Sequence, residues 1–323
     1  MAGIHHVTAI AGDPLKNVSF YTRDLGLRFV KKTVNFDEPT TYHFYFGNET
    51  GSPGTVLTFF IWTGAKSGQQ GVREARQVTF RVPLRSINYW TQRFVGREIH
   101  HQALEKQFGE LVLPFTDPDG TTLALVGVAG AENEPAWSNG DIPSEHAIRG
   151  FHGVTLHLDS AEKTAALLID VFGFREVARE GSVTRFASAG DAKGSVVDIH
   201  EAEGVPRRLR GRGSVHHVAF RATDDAEQAT MAEKLIRKHG RQPTDQKDRN
   251  YFRSIYFREP GGVLFEIATE IPGFAIDEPI QALGRDLKLP KFLEPRRKEI
   301  EGFLPILEEP IGARGVNSVD GGT

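Results

Sequence analysis

Along the chain, apolar residues fall mostly into short runs that alternate with polar ones and end at glycine-containing turns. That is the period of strands; only brief stretches carry the three- and four-residue spacing of helices. Four segments repeat one order, an opening strand, a helix that stops at glycine, then several short strands. In the first, a strand over Ile4–Ile10 leads to Asp13, placed to cap a helix with Pro14 at its first position and Gly26 at its end. Strands over Arg28–Phe36, Tyr42–Phe46 and Thr55–Trp62 complete it. The second opens at Gln77–Val82, carries a helix after Ser86, and closes with Thr121–Gly127 behind the turn Asp117-Pro-Asp-Gly. The third opens at His152–Leu158, has Asp159 and Glu162 at capping-box spacing, stops its helix at Gly173 and closes with Ser195–His200. The fourth opens at Val215–Ala222, caps a helix at Asp225 with Gln228 three residues on, and ends that helix at Gly240. It continues with Phe252–Phe257, the turn Glu259-Pro-Gly-Gly and Val263–Thr269. The pattern predicts an α+β chain of four βαβββ modules.

Segment 131–150, rich in Asn, Glu, Pro, Ser and Gly, reads as a linker between an N-terminal domain, 1–130, and a C-terminal domain, 151–275, of two modules each. Residues 276–323 read as an extended arm with a short helix beginning near Pro295 and a disordered tail.

Composition narrows the chemistry. The chain has 323 residues, a formal charge of −3, 12 histidines and no cysteine. Disulfides, thiolate nucleophiles, Cys-ligated zinc and iron–sulfur clusters are thereby excluded, so a tight metal site must use His nitrogen and carboxylate oxygen. Near-neutral charge argues against nucleic acid or an anionic membrane as partner. The absence of a long apolar run and of a signal-peptide pattern predicts a cytoplasmic protein. A homo-oligomer is compatible with the sequence, which does not set the oligomeric state.

The repeat also gives a register. Aligning the opening strands puts His6, Gln77, Gly153 and His217 in one column; aligning the closing strands puts Thr58, Ala124, Asp198 and Glu266 in another, with a gap in the alignment at Asp198. Only the first and fourth modules supply histidine, and only the fourth supplies glutamate beside it. His6, His217 and Glu266 form a 2-His-1-carboxylate set, which leaves one face of an octahedral iron open and places the first and fourth modules side by side. Glu266 sits between Phe265 and Ile267, where a carboxylate is costly unless paired or metal-bound; an ion pair to Arg249 or Arg253 is the bland alternative. Strand alternation puts His6 on one face with Thr8 and Ile10, and His5 on the other with Val7 and Ala9. His100-His101 reads as a solvated surface pair.

The βαβββ order, together with Ile4-His-His-Val-Thr, Ser214-Val-His-His-Val-Ala-Phe and Arg253-Ser-Ile-Tyr-Phe-Arg-Glu-Pro-Gly-Gly-Val-Leu-Phe-Glu-Ile-Ala-Thr, resembles the vicinal oxygen chelate superfamily. Within it, the closest likeness is to the hydroquinone ring-cleaving dioxygenases. The resemblance implies modules paired into two incomplete barrels, an Fe(II) cofactor with Mn(II) as an alternative, and a small aromatic diol and O₂ as substrates. It also implies that His5, Thr8 and His216 surround the active centre and that Arg249 and Tyr256 lie near the bound diol. Archetypal extradiol enzymes draw ligands from the third and fourth modules, which keeps His152 with His217 and Glu266 as a competing set. An extradiol catechol dioxygenase, a glyoxalase-type isomerase and a non-catalytic aromatic- or drug-binding protein remain open as alternatives.

Overall fold

A computed structural model of the chain describes residues 3–190 and 193–307; the expected tail lies outside the described residues. The first module comprises β1 (Ile4–Ala11), α1 (Pro14–Ser19, extended by a π-type turn over Phe20–Asp24), β2 (Arg28–Asn35), β3 (Glu38–Gly47) and β4 (Val56–Ile61). The second comprises β5 (Glu74–Pro83), α2 (Ile87–Gly96), β6 (Glu105–Gln107), β7 (Glu110–Thr116) and β8 (Thr122–Val128). The third has β9 (Gly150–Leu158), α3 (Glu162–Asp170), β10 (Arg175–Glu180), β11 (Val183–Ala187) and β12 (Val196–Glu201). The fourth has β13 (Val215–Ala222), α4 (Asp225–His239), β14 (Lys247–Asp248), β15 (Arg253–Arg258) and β16 (Leu264–Thr269); α5 (Arg297–Phe303) ends the described arm.

Two eight-stranded sheets result, in the orders β14-β15-β16-β13-β1-β4-β3-β2 and β10-β11-β12-β9-β5-β8-β7-β6. Each sheet takes one module from either side of segment 131–150. The first and fourth modules share one sheet, and the second and third share the other, so the sheets cut across the sequence halves 1–130 and 151–275. Within a module the opening and closing strands run parallel, and the two opening strands of each sheet meet antiparallel, β1 on β13 and β5 on β9. β1 and its parallel neighbour β4, both interior strands of the first sheet, are buried throughout.

The pairing β1–β13 carries two irregularities. Ile4 faces Phe220 and His6 faces Ala219, so His5 is an extra residue; Thr8 faces His217 and Ala9 faces Val215, so His216 is another. Ile4 and Val7 both join the main apolar core, as do Val215 and Val218. Two consecutive residues between each core pair therefore leave the core face together. The alternation expected from an ideal strand, with His5 beside Val7, is thus overturned by a β-bulge.

Helix starts were legible to within a residue or two. Asp13 accepts hydrogen bonds from the backbone N–H groups of Leu15 and Lys16, and Pro14 follows it as expected. On α4 the cap is Asp224 rather than Asp225: Asp224 accepts from Glu227 N, Glu227 reaches back to Thr223 N, and Gly240 ends the helix with a left-handed φ of 59°. Gln228 is buried instead, donating to the carbonyls of Arg253 and Ile267. The Asp159–Glu162 box does not form, because Asp159 pairs with Arg73 and α3 starts from Ala161. The arm folds back on the first module: Leu287 bridges to Lys32, and the buried Lys31 ammonium donates to Asp277 at 2.5 Å and to Glu278.

Candidate metal centre and aromatic pocket

The strand pairings reproduce the register read from the repeats. Thr8 pairs with Thr58, Thr79 with Ala124, Thr155 with Asp198 and Ala219 with Glu266, and His6, Gln77, Gly153 and His217 each stand two residues before the opening-strand partner. Asp198 therefore does occupy the column despite the gap in the sequence alignment. Its carboxylate is spent on a two-pronged contact with Arg185, at 2.8 and 2.9 Å, with Ala124 and Gly153 as neighbours in the columns. His152 sits in that same second sheet, 3.2 Å from Glu110, so it does not stand with His217 and Glu266. The competing ligand set is excluded by topology.

In the first sheet, His6, His217 and Glu266 converge. The Nε2 atoms of His217 and His6 lie 2.9 and 3.3 Å from Glu266 Oε2, and 3.4 Å from each other. All three side chains are buried, and among the described residues they are the grouping of His and carboxylate that could hold a metal ion. The bland alternative for Glu266 does not hold, since Arg249 pairs with Asp37 and Arg253 with Asp225. Ser254 donates its hydroxyl to Glu266 Oε1. Oε2 receives no well-directed hydrogen bond although two ring nitrogens crowd it. A buried carboxylate oxygen left without a proper donor, beside two converging nitrogens, fits a cation between them.

Protonation states suit such a cation. Burial pushes His217 down, against the pull of Glu266. Burial alone would raise Glu266, but His6 and His217 outweigh it and hold the carboxyl well below its usual range. A neutral imidazole and a carboxylate are the forms that bind metal.

The two bulges decide what supports the ligands. His5 Nδ1 lies 2.9 Å from His6 Nδ1, and His216 Nδ1 lies 2.8 Å from His217 Nδ1, each pair with rings edge-on at 82°. His5 is buried, which lowers its pKa, and it also bonds the Thr269 backbone in the sense that stabilises its proton. A proton on His5 directed at the Thr269 carbonyl leaves Nδ1 free to accept from His6, and His6 Nε2 free as a donor atom. His216 is likewise held neutral, pushed down to about 2 by burial and by His217, Arg210 and Arg208.

The cluster opens on one side into a small cavity, lined by His6, His217 and Glu266 together with Phe36, Phe60, Phe252, Tyr45, Tyr256, Arg249 and His43. Arg249 Nε donates to the Tyr256 hydroxyl at 3.1 Å and its guanidinium lies 5.3 Å from that ring's centroid. Burial, with the Glu266 charge, raises the Tyr256 pKa, so its hydroxyl stays protonated.

Several of these residues were not found by sequence reasoning. Thr58, in the place that mirrors Glu266, is 2.8 Å from Thr8 Oγ1 and 2.8 Å from His43 Nε2, and Tyr45 lies 2.9 Å from His43 Nδ1. Thr8 is thus buried beneath the site as one end of a hydroxyl–imidazole chain. Burial drives His43 well below the usual histidine range. The signal for His43 and Tyr45 is their alternation on β3, but no residue pattern sets how β3 registers against β4. Of the remaining histidines, His100 is exposed and His101 half-buried against Phe94.

Comparison with known proteins decides the family. The profile of the glyoxalase/bleomycin resistance protein/dioxygenase superfamily matches residues 3–125 and 150–267. The chain belongs to this superfamily. Among its members, the provisionally named ring-cleaving dioxygenase MhqO of Bacillus subtilis is 45% identical over 304 residues, covering 94% of this chain and 96% of the relative. The chlorohydroquinone/hydroquinone 1,2-dioxygenase of Sphingobium indicum is 31% identical over 314 residues, 96% and 97% of the two chains. A crystal structure of a provisionally assigned dioxygenase from B. subtilis superposes with a TM-score of 0.90 at 44% identity, covering 95% of this chain and 97% of that one. Glyoxalase I from Zea mays, 13% identical with a TM-score of 0.63, covering 84% of this chain and 93% of its own, shares the superfamily fold.

Proposed function

We propose that the protein is an Fe(II)-dependent ring-cleaving dioxygenase that opens a hydroquinone-type, para-diol ring with O₂. The observation that carries this reading is the one-sided cluster of His6, His217 and Glu266 facing an aromatic-walled cavity that also takes in the Arg249 guanidinium and the Tyr256 phenol. Relatives that match nearly the whole chain and carry ring-cleaving or hydroquinone dioxygenase names support it.

The chemistry an iron(II) ion supplies in such a triad is Lewis-acid activation of one substrate hydroxyl and redox activation of O₂. The chain's own residues do the rest. His5 and His216 fix the ring orientation and tautomer of His6 and His217 through their Nδ1 contacts. Phe36, Phe60 and Phe252 exclude water and offer faces to the substrate ring. Arg249 favours the ionised form of a phenol placed beside it. Tyr256, which accepts from Arg249 through its oxygen, keeps its own proton to donate to a substrate oxygen. A para-diol brings only one hydroxyl to the metal, so the Arg249–Tyr256 pair is the group positioned to hold the other.

A glyoxalase-type isomerase needs a further protein ligand at the place of Thr58, whose hydroxyl is engaged by Thr8 and His43. The test is a substrate panel on anaerobically loaded protein: hydroquinone, catechol and the methylglyoxal–glutathione hemithioacetal, with the products identified. An acyclic product from hydroquinone is expected; conversion of the hemithioacetal with no reaction of either diol would contradict the reading.

A further inference from the structure

We propose that Asp37, on the turn joining β2 to β3, is a positioning residue that aims Arg249 at the substrate's far hydroxyl. The inference rests on the ring-cleaving reading of the same cavity. β2 and β14 are the two opposite ends of their eight-stranded sheet, yet the sheet curls far enough for them to meet across the cavity mouth. The contact is ionic: Asp37 Oδ2 accepts from Arg249 Nη2 at 2.8 Å, and Oδ1 lies 3.6 Å from Lys247 Nζ. Arg249 in turn holds the Asp37 carboxyl below its ordinary range.

The geometry at Arg249 gives the contact its function. A guanidinium is planar, so two bonds to different nitrogens fix its plane and direction. Arg249 has both, Nε to the Tyr256 hydroxyl and Nη2 to Asp37. Its third nitrogen, Nη1, has no hydrogen-bond partner among the described residues, and the side chain lines the cavity with the metal-site residues. Without Asp37 the guanidinium keeps a single anchor and can swing about it. The turn is itself braced, since Asn35 Oδ1 accepts from Asp37 N. Asp37 is 59% exposed whereas Arg249 is 15% exposed. The pair is therefore open to salt screening from one side, which gives the proposal a signature of its own.

The experiment measures hydroquinone turnover by Fe(II)-loaded protein, and anaerobic hydroquinone affinity by calorimetry, for wild type, Asp37→Ala, Asp37→Glu, Arg249→Ala and the double Ala variant. Asp37→Ala is expected to lower kcat/KM about tenfold, mostly through KM, as loss of a hydrogen bond to a charged group does. Asp37→Glu should recover most of that loss. The double variant should be no worse than Arg249→Ala, because Asp37 acts only through that residue. Raising ionic strength should raise KM in wild type and leave it flat in Asp37→Ala. Additive losses in the double variant, or an Asp37→Ala KM equal to wild type, would overturn the proposal. Hydroquinone affinity that depends on Asp37 in a protein that consumes no O₂ would support the positioning role and count against ring cleavage.

Discussion

His5 and His216 each precede a candidate metal ligand, and each is turned toward that ligand rather than away from it. If they act as acceptors for the ligand rings, their loss should show in metal affinity before it shows anywhere else. His5→Ala is expected to weaken metal binding about tenfold or more, the range for partners of metal-bound histidines, while Glu266→Gln abolishes stoichiometric binding. Metal titration with an optical or mass readout checks both; unchanged affinity in His5→Ala would remove the supporting role. The same histidines predict a pH dependence. His5, His43 and His216 are all depressed in the folded protein, whereas in the unfolded chain they titrate near pH 6.5. Below that pH the unfolded state binds more protons than the folded one, so metal-free stability falls as pH drops from about 7 toward 5. Glu266, depressed in the folded state, adds to the loss only further down, below about pH 4.3. A melting temperature that stays level between pH 7 and 5 would contradict this. His6, His217 and Glu266 were legible in the sequence because a repeat exposes which copies depart from it. The facing of His5 and His216 was not, because a bulge adds a residue that no hydrophobic pattern announces.

At the scale of elements, the pattern of strands and glycine-stopped helices could be read almost as it stands, and the misses have local causes. The capping signal at Asp159 lost to an ion pair with Arg73, and the one before α4 shifted by a residue because two aspartates stand together. The arm was legible as an arm but not in what it does. It supplies the acidic partners of Lys31, an ammonium with a fully buried side chain in β2. Removing Glu278 leaves the buried ammonium with Asp277 as its remaining acidic partner, so Glu278→Ala is expected to cost about 2 kcal/mol of stability, the range for a lost hydrogen bond to a charged group. Lys31→Met in the same background should restore much of it, as a well-packed apolar replacement does. Denaturant titration of the three proteins checks the pair; a neutral Glu278→Ala would show that the arm is not held there.

At the scale of the molecule, the site exists only because the two ends of the chain share a sheet. β1 finds its partners in β4 from its own module and β13 from the fourth, so 1–130 cannot build the cluster by itself. A fragment of residues 1–130 should therefore bind no metal, and mixing it with 151–323 should restore binding if the halves reassociate; metal binding by the first fragment alone would contradict the topology. No described helix is long and apolar enough to cross a membrane. The second sheet repeats the architecture without the chemistry, with its one columnar carboxylate held by Arg185. The missing cysteines and the two selected histidines thus describe one centre, between the first and fourth modules.

The central claim, that this centre cleaves an aromatic diol with O₂, is tested most directly by isotope. Protein loaded anaerobically with Fe(II) is given hydroquinone and labelled O₂, and the product is analysed by mass spectrometry, with Glu266→Gln as control. The account predicts one O₂ consumed per ring, both labelled atoms in an acyclic product, and neither uptake nor product with Glu266→Gln. An intact ring, or equal turnover by Glu266→Gln, would contradict it.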